Sequence, residues 1–298
     1  MRAGDGPSKT WHDTSVSLLT LGTAQWGEAY GVTNTVGRLA DAEVAEIVRV
    51  ALAADIKSFD TAAGFGDAQV RLQPWAANLQ ITTKVSGAGP ESVKEQLKSS
   101  LLALGRSEVE IVLVHDWDSL TQQVKLQAAA ALTEVKEAGL ASLVGVSVYD
   151  EVALEFAAEV FESLDVAQVP ANAIDRRLDT SELVKDLWAA GTKFQVRSAF
   201  LQGLLAASSG TDLGNHVDVE SFHRAAAEQG LSGLEFALAH VRALPWADNI
   251  IVGVTSPAEL TAIIKAWHKV PATLAPLSIS SSDLTLIDPR AWPERSTG

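Results

Sequence analysis

Three runs decide the architecture of this chain: IKSFD at residues 56–60, LQITTK at 79–84 and VEIVLVH at 109–115. Each is a short apolar or β-branched stretch that closes on a titratable residue, respectively Asp60, Lys84 and His115. A buried strand accepts apolar side chains and ends in a turn, so a charged residue closing it emerges at the end of the sheet. Outward from these runs, the pattern predicts strands at 16–21, 56–60, 79–85, 109–114, 142–147, 166–169, 193–198 and 249–252. Helical patterns fall between them at 41–54, 67–77, 90–104, 120–138, 151–162, 180–190, 232–243 and 257–267. Gly105, Gly139 and Gly191 each follow a helix and precede a strand, the usual place for a helix stop. Eight strands alternating with eight helices predict an α/β fold, a single (β/α)8 TIM barrel with parallel strands. Residues 1–298 are expected to form one such domain, with an N-terminal tail at 1–15 and a C-terminal tail at 273–298 packed on the barrel. The stretch 203–230 is polar and irregular at first and reads as a long loop beside an active site.

Composition narrows the function. The chain has no cysteine and a net charge of −14. Disulfide frameworks, thiolate metal sites and cysteine nucleophiles are therefore excluded. The acidic balance and the lack of a basic cluster argue against nucleic acid and anionic membranes as partners. No run approaches the length of a membrane span, and MRAGDGPSKTWHD at 1–13 lacks the apolar core of a signal peptide, so a cytoplasmic location is expected. His115 stands close to Asp116 and Asp118, but His12, His216, His223, His240 and His268 fall in no ligand spacing, and no metal is expected. Neither a phosphate loop nor a nucleophile elbow is present.

Eight motifs, in order, resemble the aldo-keto reductase family. They are LGTAQWGEAYGV (21–32), FDTAAGFGDAQ (59–69), ITTKV (81–85), LVHDWD (113–118), VGVSVYD (144–150), QVPANAIDRRL (168–178), VRSAFLQGLL (196–205) and NIIVGVTSPAEL (249–260). The bacterial branch labelled spore-coat-polysaccharide-type or galactose-dehydrogenase-like is the most similar. The resemblance implies an oxidoreductase that moves a hydride between a nicotinamide cofactor and a carbonyl or alcohol of a sugar or small molecule. In the family a tetrad of Asp, Tyr, Lys and His serves that reaction: the tyrosine gives the proton, the lysine lowers its pKa, the aspartate supports the lysine and the histidine orients the carbonyl. The matching positions are Asp60, Phe65, Lys84 and His115. Phenylalanine keeps the ring and removes the donor, a loss that typically lowers rate by about 10²–10⁴.

The cofactor pocket implied by the same resemblance contains Ser147, Gln168, Arg197, Ser198, Phe200, Leu201 and Gly203, and further along Gly253, Thr255, Ser256 and Glu259. Gln168 matches the carboxamide ligand, and Arg197 replaces the aromatic that stacks on nicotinamide. Where NADPH-preferring relatives carry a basic residue, Thr255 and Glu259 stand here, so NADH is at least as plausible as NADPH.

Other readings of the same residues remain open at this level. Asp60 could cap the turn that follows it, and Asp60 with Lys84 could be a structural pair. Trp26 and Trp117 follow strands one and four, where flat rings line a substrate pocket or simply pack the rim. If the proton donor has moved, the candidates are His115, with a pKa raised by Asp116 or another carboxylate nearby, and then Tyr30 in the first mouth loop; Tyr149, after strand five, is less well placed to reach the carbonyl. Besides the oxidoreductase, the residues allow a redox-independent lyase or isomerase using Lys84 and His115, or a catalytically silent relative.

Overall fold

The computed structural model describes residues 18–88, 92–208, 210–270 and 279–292. Eight strands close into a barrel in chain order: β1 (Leu19–Gly22), β2 (Ser58–Asp60), β3 (Gln80–Val85), β4 (Val109–Val114), β5 (Ala141–Ser147), β6 (Val166–Pro170), β7 (Lys193–Arg197) and β8 (Ala247–Val252). All neighbours are parallel, and closure comes from Leu19–Leu21 of β1 lying beside Ile250–Val252 of β8. Parallel neighbours need crossovers, and helices supply them. In chain order the helices are α1 (Ala24–Gly27), α2 (Asp41–Ala53), α3 (Ala68–Ala76), α4 (Val93–Leu104), α5 (Gln122–Glu137), α6 (Glu151–Val160), α7 (Glu182–Ala190), α8 (Val217–Glu228), α9 (Gly233–Ala243), α10 (Pro257–Lys269) and α11 (Leu284–Ile287).

Local chemistry fixes the helix ends. Ser92 and Glu95 form a reciprocal capping box on α4, as Ser232 and Glu235 do on α9. Gly105 and Gly191 close α4 and α7 in the left-handed region. The apolar faces of the helices lie against the outside of the barrel and bury residues such as Val48, Leu72, Leu97, Leu132, Leu154 and Leu260.

The barrel interior is polar near the mouth. The Gln168 amide donates to Asp60 Oδ2 at 2.9 Å and to Gln195 Oε1 at 3.0 Å, and Gln195 donates to Thr82 Oγ1 at 2.9 Å. Strand β6 is not a neighbour of β2, nor β7 of β3, so two of these bonds cross the lumen.

Several boundaries differ from the sequence reading. The first strand ends at Gly22, and the expected residues 16 and 17 lie outside the described range. The second shortens to Ser58–Asp60, and the seventh stops at Arg197 because Ser198 turns to φ 62°. The eighth starts two residues earlier, at Ala247. The fourth helix begins at Val93, with residue 90 outside the described range. The stretch read as loop contains α8, whose buried Val219, Phe222 and Ala226 recur at helical spacing. The N-terminal tail, 1–15, lies outside the described residues. Of the C-terminal tail, residues 279–292 lie on the barrel: Ser281 donates to the Ile174 carbonyl at 2.8 Å, and the Arg290 guanidinium rests 4.0 Å from the Tyr149 ring centre.

Gly145 provides a test of the register. It lies opposite Leu113 and Val166, and a Cβ there would stand 1.8 Å from the Val166 carbonyl oxygen. Gly145→Ala is expected to destabilise the fold by at least about 1–3 kcal/mol in urea denaturation. An unchanged midpoint would mean that β5 and β6 do not meet in this register.

Candidate active site

Asp60 is the last residue of β2, Lys84 the fifth of β3, and His115 follows β4, its N–H continuing the ladder to the Val85 carbonyl at 2.8 Å. Closure of the barrel therefore brings the three strand ends to one mouth. Lys84 is 2% exposed, and its ammonium donates to Asp60 Oδ1 at 2.5 Å and to the Thr61 carbonyl at 3.2 Å. Burial holds the Lys84 pKa below its ordinary value and Arg197 adds to this, while Asp60 pulls the other way.

Phe65 completes the cluster. Its ring stands edge-on to the His115 imidazole, with centres 5.6 Å apart and planes at 86°, and Lys84 Nζ lies 5.1 Å from its centre. The loop carrying Phe65 approaches α1 so closely that a Cβ on Gly27 would stand 1.8 Å from the Phe65 carbonyl oxygen. Glycine at 27 is thus what lets this loop sit where it does.

His115 opens into the cavity, yet its pKa is pushed down to about 4. The causes are loss of water around the ring, then the charges of Lys84 and Arg197, with Asp116 opposing. The expected upward shift is thereby corrected. The Asp116 carboxylate is occupied by the Gly87 N–H at 2.7 Å and the Ser86 hydroxyl at 2.5 Å, while two cations face the imidazole.

These residues line a cavity of about 800 Å³. Ser147, Gln168 and Arg197 reach it from β5, β6 and β7, and Ser198, Phe200 and Gly203 from the loop after β7. Gly253, Thr255 and Glu259 line it between β8 and α10. Leu201 is fully buried and Ser256 caps α10, so neither is on the lining. Gln168 is already engaged by Asp60 and Gln195 through its amide nitrogen. At Glu259 the carboxylate accepts from the Thr255 N–H at 2.6 Å and hydroxyl at 2.8 Å.

The tryptophans are placed differently from the expectation. Trp26 and Trp117 are both 0% exposed, and neither reaches the cavity. Trp26 turns inward against Phe59, ring centres 6.2 Å apart, and the Trp117 indole donates to the Ala153 carbonyl at 3.1 Å beneath α6. Both are core residues. Tyr30 does line the cavity, and the loss of water there, then the neighbouring Tyr149, raises its pKa, with the charge of Arg197 opposing.

Sequence reading missed two lining residues of interest, Gln25 and Gln202, and ranked a third, Tyr149, behind Tyr30. Gln25, 9% exposed, has a buried Oε1 without a protein partner, and a Cβ on Gly253 would approach its amide nitrogen to 2.6 Å. Gln202, held at φ 52°, accepts from the Val32 N–H at 3.1 Å through its side chain and from the Thr33 hydroxyl at 3.1 Å through its carbonyl. Tyr149 lies between Arg197 and Arg290, whose guanidinium carbons stand 3.9 and 4.0 Å from its ring centre. The proximity of Gln202 to the Gly203 turn was the available signal for that residue; Gln25 had none beyond its place after a strand.

Known proteins support the same assignment of architecture. The sequence profile of the Aldo/keto reductase family matches residues 18–274. An aldo-keto reductase of Mycolicibacterium vanbaalenii is 33% identical over 120 residues, 38% of this chain and 43% of that protein. One from Mycolicibacterium paratuberculosis is 31% identical over 156 residues, 50% of this chain and 54% of that protein. The matched chain thus spans about half the length of these curated relatives. An aldo-keto reductase from Bacillus halodurans, solved in its holo form, shares the fold with a TM-score of 0.70 at 16% identity, over 86% of this chain and 88% of that one. With the profile matched along most of its length, the chain belongs to the aldo/keto reductase family.

Proposed function

We propose that this chain is a cytoplasmic, nicotinamide-dependent oxidoreductase that interconverts a carbonyl and an alcohol on a small polar molecule, as in the spore-coat-polysaccharide or galactose-dehydrogenase-like branch. The observation that carries this reading is the cluster at the mouth: Lys84 fixed on Asp60 at 2.5 Å, with Phe65 and His115 packed beside it on the cavity.

The cavity supports a dinucleotide. Its volume of about 800 Å³ is within the roughly 300–1,000 Å³ of small-molecule sites. The unpartnered Gln25 Oε1 offers a buried acceptor, and the absence of a side chain at Gly253 keeps the space beside it open. The lining continues to Thr255 and Glu259 at the start of α10, a helix end that favours anionic groups. Glu259 would repel a 2′-phosphate there, which favours NADH over NADPH.

A reduced nicotinamide, when bound, supplies the hydride. The protein's own part is electrostatic. His115 stays neutral at working pH, and its N–H is available to the carbonyl oxygen. Lys84 keeps positive charge near the oxygen where negative charge develops, and Asp60 holds that ammonium in place. Phe65 has no proton to give. Tyr30 takes that role in this reading: it lines the cavity and carries its proton at working pH; burial and Tyr149 raise its pKa and weaken it as an acid, while the charge of Arg197 works the other way.

Calorimetric titration tests the cofactor assignment directly, and NADH is expected to bind in the micromolar range and more tightly than NADPH. No binding of either at millimolar concentration would overturn the redox reading and favour a cofactor-free lyase or isomerase. In turnover assays Lys84→Met is expected to abolish activity, with circular dichroism confirming the fold, because no cation then stands near the oxygen where negative charge develops. Phe65→Tyr is expected to raise carbonyl reduction at least about tenfold by restoring a phenol beside Lys84. The His115 signals in an NMR titration should move with a midpoint at about 4 and stay still between pH 6 and 7. The unfolded chain binds that proton near its ordinary pKa, so this group makes stability rise with pH from about 4 to about 6.5. A midpoint near 6.5 would remove both the loss of water around the ring and the field assigned to Lys84 and Arg197.

A further inference from the structure

Arg197 carries a permanent positive charge into the part of the cavity where a nicotinamide ring would react. It ends β7, is half-buried and lines the cavity. Its guanidinium donates to the Val148 carbonyl at 3.0 Å and to the Ser198 hydroxyl at 3.4 Å. Its central carbon stands 3.9 Å from the Tyr149 ring centre, and Arg290 backs that ring at 4.0 Å. The group is thus braced in place, and as an arginine it cannot discharge by losing its proton. Arg242 is also half-buried, but it lies against Trp267 between α9 and α10, away from the cavity. What sets Arg197 apart is where its charge falls.

That charge reaches the reacting end of the site. It helps lower the pKa of Lys84 and of His115, and it opposes the rise at Tyr30. The carboxylates nearby are engaged elsewhere. Asp60 holds Lys84 at 2.5 Å, Asp118 meets Arg290 at 3.4 Å, and Asp116 accepts from Gly87 and Ser86. Glu259 is bonded to Thr255 at the start of α10, and Glu28 is exposed at the rim. Hydride transfer needs the ring within about 3–3.5 Å of a carbonyl that His115 and Lys84 face. The ring therefore comes within range of the same charge. A reduced ring is neutral; giving up a hydride, one proton with two electrons, leaves it with one positive charge. The phosphates and the adenosine are common to both forms and cancel in the comparison. Two unit charges even about 10 Å apart, at an effective dielectric constant of about 20, repel by more than tenfold in an equilibrium constant. Salt screens partly buried charges much less than exposed ones.

We infer that Arg197 makes the site discriminate between the two redox forms of the nicotinamide cofactor, holding the reduced form and releasing the oxidised one, so that the chain works as a carbonyl reductase and not as an alcohol dehydrogenase. This rests on the nicotinamide reading and deepens it. An aromatic residue at this place would attract a positive ring through its π face, whereas the guanidinium repels it. The overall equilibrium of the reaction is unchanged; Arg197 sets which form of the cofactor occupies the cavity. Each tenfold of preference raises the midpoint potential of the bound two-electron couple by about 30 mV.

Calorimetric titration with NADH, NAD+ and ADP-ribose, without substrate or turnover, tests this. ADP-ribose keeps the phosphates and sugars and lacks the ring. The wild-type chain is expected to bind NADH at least about tenfold more tightly than NAD+. Arg197→Gln should bring that ratio below about threefold by tightening NAD+, while ADP-ribose affinity changes by less than about threefold. Arg197→Lys should keep the ratio above about threefold, since the charge remains. Equal binding of NADH and NAD+ by the wild type, or a preference that survives in Arg197→Gln, would overturn the inference and leave the nicotinamide reading standing. A matched loss of all three nucleotides in Arg197→Gln would assign the guanidinium to the phosphates and overturn it as well. If neither NADH nor NAD+ binds, both readings fall together. Should Arg197→Gln not fold, Arg197→Trp, which is neutral, takes its place with the same expected ratio.

Discussion

Burying an aspartate and a lysine beneath the mouth of a barrel removes both from water, a penalty of several kcal/mol per ion unless geometry compensates. Here the compensation is local and nearly complete. Lys84 meets Asp60 and the Thr61 carbonyl, and the second oxygen of Asp60 meets Gln168. Gln168 is in turn tied to Gln195, and Gln195 to Thr82. The charge pair is therefore the end of a polar chain that threads four strands, and its position is set by the barrel as a whole. Removing either ion would leave the other charged and buried, so the pair is poorly replaceable even where its chemistry is set aside.

Around that fixed point the loops supply what varies. The loop after β2 brings Phe65 against His115, made possible by the small residue at position 27. The loop after β1 brings Tyr30, and Gln202 from the loop after β7 fastens it through Val32 and Thr33. The C-terminal segment adds Arg290 against Tyr149 and an ion pair to Asp118 at 3.4 Å. Strand ends give a rigid frame and loops give the shape of the pocket, the usual division of labour in this architecture.

Much of this frame was legible in the residues. The repetition of apolar runs and capped helices specifies the barrel, because each unit obeys local rules that repeat eight times. Asp60, Lys84 and His115 were legible for the same reason: a titratable residue closing an apolar strand has only the mouth to face. Side-chain direction within loops was not. Trp26 and Trp117 occupy mouth segments, but one turn of helix or 3-10 backbone rotates each ring into the core. The sign of the His115 shift was also hidden, because it depends first on loss of water around the ring in the folded mouth and then on Lys84 and Arg197 arriving from other strands, while the adjacent Asp116 is diverted to Gly87 and Ser86. Helix α8 carried a readable apolar spacing that its polar composition obscured.

The cross-lumen chain also bears on how the barrel assembles. Asp60 and Gln168 are 108 positions apart, and Gln195 and Thr82 are 113 apart. A nascent half-barrel ending at β4 could pair Asp60 with Lys84, yet Asp60 would lack its glutamine and Thr82 its donor. Such a fragment gains little from burying the pair, while closure of the long intervening loops is still to be met. The final polar links therefore reward only the complete ring, which favours all-or-none closure over stable fragments and opposes splitting the chain between β4 and β6.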